Sequence, residues 1–137
     1  MLYGLKMEIV ITEWALQSYL ELKNVFTEDE YREIIRPDAE LLLDYPTSPK
    51  FGNDKFWGPC KDKGGRIIRQ GYKMKWHQIG PGRIQLRLLI AMVDNTVYLC
   101  NAYVKDNEKT DFREMAKLKI KIQLIKEERF IFRGRLL

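Results

Sequence analysis

The apolar positions along this chain change period several times. From Met7 to Thr12 (MEIVIT) they run together and are rich in Ile and Val, which predicts a strand. Thr12 is placed to cap a following helix, where Trp14, Ala15, Leu16, Tyr19, Leu20 and Leu22 recur at spacings of three and four. Asn24 and Val25 end it. Thr27 followed by Glu30 has the spacing of a capping box. It opens a second helix with Tyr31, Ile34, Ile35, Leu41, Leu42 and Tyr45 along an apolar stripe. Pro37 lies inside that stripe, so the helix kinks or restarts there. Asp44 to Pro59 carries Pro46, Pro49, Gly52, Gly58 and Pro59 and reads as a long loop, pinned to the body by Phe56 and Trp57.

From Arg66 to Lys105 the pattern becomes a three-stranded antiparallel meander. Gly80, Pro81 and Gly82 make one turn, and Asp94, Asn95 and Thr96 the other. Side chains alternate between faces along a strand. Tyr72, Met74 and Trp76 alternate with Lys73, Lys75 and His77. Ile84, Leu86, Leu88, Ile90 and Met92 alternate with Arg83, Gln85 and Arg87. Tyr98, Cys100, Ala102 and Val104 alternate with Asn101, Tyr103 and Lys105. One face wants a core, the other water or a ligand. Three-residue loops pair Val93 with Val97 and Ile79 with Arg83, which sets Lys75 beside Arg87 and Arg87 beside Tyr103. Two-residue loops would turn Asn101, Tyr103 and Lys105 into the core, at a cost in buried polarity. His77, Gln85, Arg83 and Asn101 should surround this row.

Thr110 is placed to cap a last helix carrying Phe112, Met115, Ala116, Leu118, Ile122 and Ile125. The alternation of Leu118, Ile120, Ile122 and Leu124 with lysines is also a strand pattern, so helix is expected at least to Leu118. The tail FIFRGRLL has no assigned structure. The expected fold class is α+β: an N-terminal strand and two helices, an antiparallel three-stranded meander and a C-terminal helix. Residues 1–137 form one domain, with a core of about 7–118 and a C-terminal extension of 119–137.

Charge sharpens this picture. The net charge is +5, and between Lys50 and Arg87 ten basic residues face only Asp54 and Asp62. A basic middle of this kind suits a polyanion, either nucleic acid or an acidic protein. No apolar run is long enough to span a membrane, and the N-terminal segment lacks the long apolar region of a signal peptide. The chain reads as cytoplasmic. Cys60 and Cys100 have no CxxC partner, and the single His77 completes no familiar zinc spacing with them, so no metal or other cofactor is expected. Cys100 is expected to be buried and Cys60 to lie in a loop.

Two cations, a phenol and an imidazole on one sheet face suit a phosphodiester. Lys75 and Arg87 can hold phosphate oxygens and stabilise a pentacoordinate transition state. Tyr103 can stack on a base. His77 is the side chain whose ordinary pKa suits exchange of a proton with a ribose 2′-OH or a leaving oxygen. Lys61, Arg66, Arg69, Lys73, Arg83, Asn101 and Lys105 are candidate RNA contacts around them. Without paired carboxylates a metal-dependent nuclease is not expected, so an endoribonuclease built on this face would be a metal-independent endoribonuclease. Composition and spacing themselves support a basic α+β domain with a candidate RNA- or partner-binding face. A polar outer face on an ordinary sheet explains the same residues without any activity.

The order of elements resembles the RelE/ParE toxin superfamily, and within it the HigB-like branch. MEIVITEWALQSYLELK looks like that family's opening strand and first helix. RIQLRLLIAMVDNTVYLCNAYVKDNEKT is similar to its arginine-bearing strand, turn, apolar strand, aromatic and Lys-Thr stretch. The likeness covers the layout from about Met7 to Leu118. It implies a RelE-like toxin of a toxin–antitoxin pair, acting as a ribosome-dependent mRNA endonuclease that inhibits translation, with a cognate antitoxin, the ribosome and mRNA as partners. It places the catalytic arginine at Arg87 and the aromatic at Tyr103. Where the family often has Glu-Leu-Arg, this chain has Lys75-Trp76-His77; Arg69, Arg66 or Lys61 would then supply the missing charge. Two alternatives stand beside it: a ParE-like inhibitor of DNA gyrase, and a non-catalytic basic protein-interaction module.

Overall fold

The computed structural model describes residues 6–136. The outermost residues of the 1–137 domain, 1–5 and 137, lie outside them. Strand β1 (Glu8–Thr12) leads into α1 (Glu13–Leu22), and Thr12 caps that helix by accepting from the Ala15 N–H at 3.2 Å. A second helical run begins at α2 (Glu28–Glu30), where both halves of the Thr27–Glu30 capping box are present. It passes through a π turn (Tyr31–Ile35) into α3 (Arg36–Glu40), which carries Pro37 in its first turn, and closes in a 3-10 turn (Leu41–Asp44). The proline thus restarts the helix, because its ring excludes the preceding hydrogen bond.

The long loop contains a 3-10 turn (Pro49–Gly52) and is anchored by Phe56 and Trp57, both buried. It then delivers β2 (Trp57–Lys61), a strand that the loop-forming residues concealed. The meander is β3 (Ile67–Ile79), β4 (Ile84–Val93) and β5 (Thr96–Val104). Helix α4 (Glu108–Lys126) and a short strand β6 (Phe132–Arg135) complete the chain. The protein is α+β, with a six-stranded mixed sheet in the order β2-β3-β4-β5-β1-β6 rather than a sheet of three meander strands. β1 lies parallel to β5, and every other pair is antiparallel. Residues 119–136 are built into the fold: Ile122, Ile125 and Leu136 are buried, and β6 pairs with β1.

The register of the row is as expected, although the route to it differs. Lys75 pairs with Arg87, and Arg87 with Tyr103. The β4–β5 turn, however, has two residues, Asp94 and Asn95, both at positive φ as a type I′ turn requires. It pairs Val93 with Thr96. A bulge then leaves Cys100 without a partner between the pairs Ile90–Leu99 and Leu89–Asn101. The extra residue restores the phase that the shorter turn would have lost. It also puts Tyr98 and Cys100 on the same side of the sheet as Tyr103, not on the opposite one. At the other end Ile79 pairs with Ile84 rather than Arg83, after an irregularity beyond Trp76.

Both faces of the sheet are covered. On one, Met74, Trp76, Leu86, Leu88, Ile90, Val97 and Leu99 pack under α1 and the second helical run. On the other, Cys60, Ile68, Leu89, Ala91, Val93, Cys100 and Tyr103 pack under Met115, Leu118, Ile122 and Ile125 of α4. The expectation of one wet face is therefore corrected, and Cys60 lies buried in β2 rather than in a loop. α4 starts at an Asn107 cap, not at Thr110, and stays helical to Lys126. Its buried residues recur at three and four, whereas Ile120, which a strand would bury beside Leu118, is 64% exposed. Gly71 lets α4 approach, since a Cβ there would meet Leu118 Cδ2 at 3.1 Å.

The turn at Gly80 locks the second helical run to the meander. Its N–H donates to Glu30 Oε2 at 2.8 Å, its φ is +77°, and a Cβ would stand 2.1 Å from the Val25 carbonyl oxygen. Backbone cannot give way as a side chain can, so Gly80→Ala should cost about 2 kcal/mol or more. Urea unfolding checks this: a midpoint within error of wild type would show that the turn is free to move.

Candidate functional site

The site grows from the centre of the sheet. β3, β4 and β5 place Lys75, Arg87 and Tyr103 opposite one another, and α4 lays its first turns over them. Arg87 is only 4% exposed. Its Nη1 donates to the carbonyls of Trp76 (3.3 Å) and Leu86 (3.2 Å), and its Nη2 to Gln85 Oε1 (2.8 Å). A guanidinium has five N–H donors, so Nε–H and one Nη2–H remain unengaged among the described residues. Burial lowers the Arg87 pKa from its ordinary value, while Tyr103 and Asp111 act to raise it.

Lys75 Nζ donates to the Asp54 carbonyl at 2.7 Å. Burial lowers its pKa first, and the charges of Lys73 and Arg87 lower it further. The charge of Asp54 acts the other way, to raise it. Lys73 is spoken for: its Nζ lies 3.1 Å from Asp111 Oδ2, with both side chains about a tenth exposed. The Tyr103 hydroxyl donates to the other oxygen of Asp111, and burial raises the phenol's pKa well above the ordinary value, as does that bond. Burial acts to raise the pKa of Asp111 itself, but the Tyr103 hydrogen bond and the Lys73 charge outweigh it and hold the carboxyl below its usual range.

The remaining predicted residues divide. Asn101 donates to Glu114 Oε1 at 2.7 Å, and Lys105 pairs with Glu108 at 3.2 Å, so both lie against α4 beside the row. His77 is exposed and donates from Nε2 to the Lys55 carbonyl at 2.7 Å. Arg83 is exposed in the β3–β4 turn and donates to Gln78 Oε1 at 2.6 Å. Lys61, Arg66 and Arg69 are exposed along β2, β3 and their connection, outside the buried cluster. Tyr103 is 7% exposed, so its ring has no free face for a base, and it serves instead to hold Asp111.

Sequence reasoning missed Asp111 and Glu114. Their signal was positional. Asp111, Met115, Leu118, Ile122 and Ile125 form one helical stripe, so Asp111 falls on the face that packs, and Glu114 beside it. Both thiols are inert: burial pushes Cys60 and Cys100 up to about 12. Among the described residues no group of three or more His, Cys, Asp or Glu is placed to hold a metal ion, and no helix is long and apolar enough to cross a membrane.

Fold and site together define an α+β protein with a cationic cluster on the centre of its sheet, roofed by the first turns of an acidic-edged helix. No family model matches the chain, and no curated protein matches it.

The depressed Asp111 carboxyl links folding to pH. Its contribution is complete above the ordinary aspartate value of 3.8 and is lost as pH falls through the lower folded-state value. Asp111→Asn keeps the shape but leaves Lys73 without its counter-charge, at a cost of about 1–3 kcal/mol near neutral pH. The gap from wild type should close as pH is lowered below 3.8. Urea midpoints measured across that range test this, and a pH-independent gap would remove the ion pair from the account.

Proposed function

We propose that this protein is a RelE-like, HigB-like toxin that cleaves mRNA on the ribosome without a metal, and that an antitoxin restrains it. The observation that carries the reading is the row Lys75–Arg87–Tyr103 across three adjacent strands, with the charges of Lys73 and Lys105 close to Lys75. The placement of β1 beside β5, the capped helices and the meander is compatible with the RelE-like layout. In this reading the 2′-oxygen attacks the adjacent phosphate, and the 2′-hydroxyl proton leaves to a base. The bond to the 5′-oxygen breaks as that oxygen takes up a proton, so the proton lost by the 2′-hydroxyl is balanced, giving a 2′,3′-cyclic phosphate and a 5′-hydroxyl end.

Arg87 has the role of holding the non-bridging oxygens through Nε–H and the free Nη2–H, where charge grows in the transition state. Lys75 anchors the same phosphate. His77 keeps its Nδ1 available for proton transfer at the edge of the row. Tyr103 is a positioning residue that acts through Asp111. The phosphate reaches Arg87 by taking over the Lys73 charge from Asp111, which moves the first turn of α4 aside. The antitoxin then works by keeping that turn in place or by covering the basic face.

One observation favours a second reading, a non-catalytic basic binding module. Arg87 spends three hydrogen bonds on the protein's own acceptors, which is also how a structural arginine behaves. A DNA gyrase inhibitor has no comparable feature in its favour here.

Expression in bacteria, with primer extension on a translated reporter mRNA, separates these. Wild type should produce cuts within translated codons, and Arg87→Ala should reduce their rate by about 10²–10³-fold, the usual loss for removing one transition-state donor. Arg87→Lys, which keeps the buried charge, controls for folding and should also cleave poorly because it loses the fork. Undiminished cleavage by either variant rejects the assignment. Growth arrest with intact mRNA and lost supercoiling would point to gyrase.

A further inference from the structure

A second basic surface lies on the other side of α4. A groove of about 670 Å³ runs between the β2–β3 turn and that helix, lined on one wall by Asp62, Lys63 and Gly64. The helix wall presents Lys109, Phe112, Arg113 and Lys119, with Glu108 at its edge. We propose that this groove is a track for the phosphate backbone of single-stranded RNA, with Phe112 as the platform for a base. The proposal rests on the RNA reading above and extends it to a surface that no catalytic residue touches.

Four observations support it. The lining has four cations, Lys63, Lys109, Arg113 and Lys119, and none of them makes an ion pair among the described residues. The two acids are already engaged. Asp62 Oδ1 accepts from the backbone N–H groups of Gly64 (2.9 Å) and Arg66 (3.0 Å), and Glu108 pairs with Lys105. The turn that carries Lys63 is stiffened by those bonds and by the pairing of the Asp62 N–H with the Arg66 carbonyl, so the cation is presented rather than trailing. Gly64 and Ala116 in the lining are small and add no bulk to the groove.

The chemistry suits RNA better than an acidic protein. Spaced lysines and an arginine with one aromatic between them match a repeating phosphate with intervening bases. The groove also meets the candidate site at Glu108, which lines the one and pairs with Lys105 of the other. A strand lying in the groove therefore ends beside the Lys75–Arg87 row.

The test is fluorescence anisotropy with a labelled single-stranded oligoribonucleotide of mixed sequence, read over a range of salt concentrations. Wild type should bind, and Lys63→Glu combined with Arg113→Glu should weaken binding at least tenfold. The same pair should flatten the log–log salt dependence by about 1.4, roughly 0.7 for each phosphate contact on a single strand. Phe112→Ala should weaken binding by about five- to hundredfold with the salt slope unchanged, as loss of one stacked base does. Thermal melting checks that each variant folds, and Lys63→Ala with Arg113→Ala gives a milder pair on exposed positions. Wild-type affinity in the charge variants, or no RNA binding by wild type, overturns the groove. Equal binding of poly-glutamate, with the same response to the variants, reassigns it to acidic proteins and also overturns it. Cleavage on the ribosome is scored separately: RNA binding without cleavage removes the nuclease reading and leaves the groove. Cleavage with unaltered binding in the charge variants does the reverse.

Discussion

The Asp111 carboxylate is the contact on which the arrangement of the sheet centre depends. Two adjacent strands, β3 and β4, bring Lys73, Lys75 and Arg87 close together under a helix. Burying that much like charge without an anion would cost several kcal/mol. Asp111 answers Lys73 directly and holds the Tyr103 hydroxyl with its other oxygen, so one carboxylate ties α4 to β3 and to β5. It does not neutralise the cluster. Burial lowers the Lys75 pKa and both neighbouring cations lower it further, while the charge of Asp54, whose backbone carbonyl Lys75 also reaches, acts to raise it. What remains is a row of cations at the sheet centre, part-covered by α4, whose mutual repulsion an anion would relieve.

Much of this was legible from spacing. Thr12, Thr27 with Glu30, and Pro37 act locally, through hydrogen bonds and ring sterics within a few residues, and each does in the fold what its position implied. The pairing of Arg87 with Tyr103 was legible as well, but for a reason only half right. Matching the faces demands one residue more between the strands than a two-residue turn supplies. A three-residue loop was one way to meet that demand; the chain uses Asp94–Asn95 and then a bulge at Cys100. The face requirement fixes the sum, and local propensity at Asp94–Asn95 chooses where the extra residue goes. Because it goes inside β5, the residues between turn and bulge point the other way, and Tyr98 packs against Phe130.

The second face shows where parity runs out. Alternation separates apolar from polar positions, but it does not say whether a polar face meets water or another element's polar atoms. Lys73, Asn101 and Tyr103 look like solvent-facing residues in their own strands. Their partners, Asp111 and Glu114, look like exposed helix acids in theirs. Only the stripe that begins at Asp111 and continues through Met115 and Leu118 reveals that the acids point inward. β2 was hidden for a related reason. Its sequence, WGPCK, has two turn-forming residues, and it is a strand because Trp57 stacks on Tyr72 across the sheet at 5.2 Å and Cys60 is buried under α4.

The anchorage of α4 is graded along its length, and the gradient has a direction. From Met115 to Ile125 the helix is held by buried apolar side chains, which salt and anions do not loosen. From Glu108 to Glu114 its inward contacts are polar: Asp111 on Lys73 and Tyr103, Glu114 on Asn101, Glu108 on Lys105. Phe112, the one large apolar residue of that stretch, faces the outer groove instead. A phosphate that competes for Lys73 or Lys105 therefore acts on the part of α4 with the least apolar attachment, while the far end stays fixed on Gly71 and the strands beneath it. The same first turns line the outer groove on one side and meet the cationic row on the other, with Glu108 common to both.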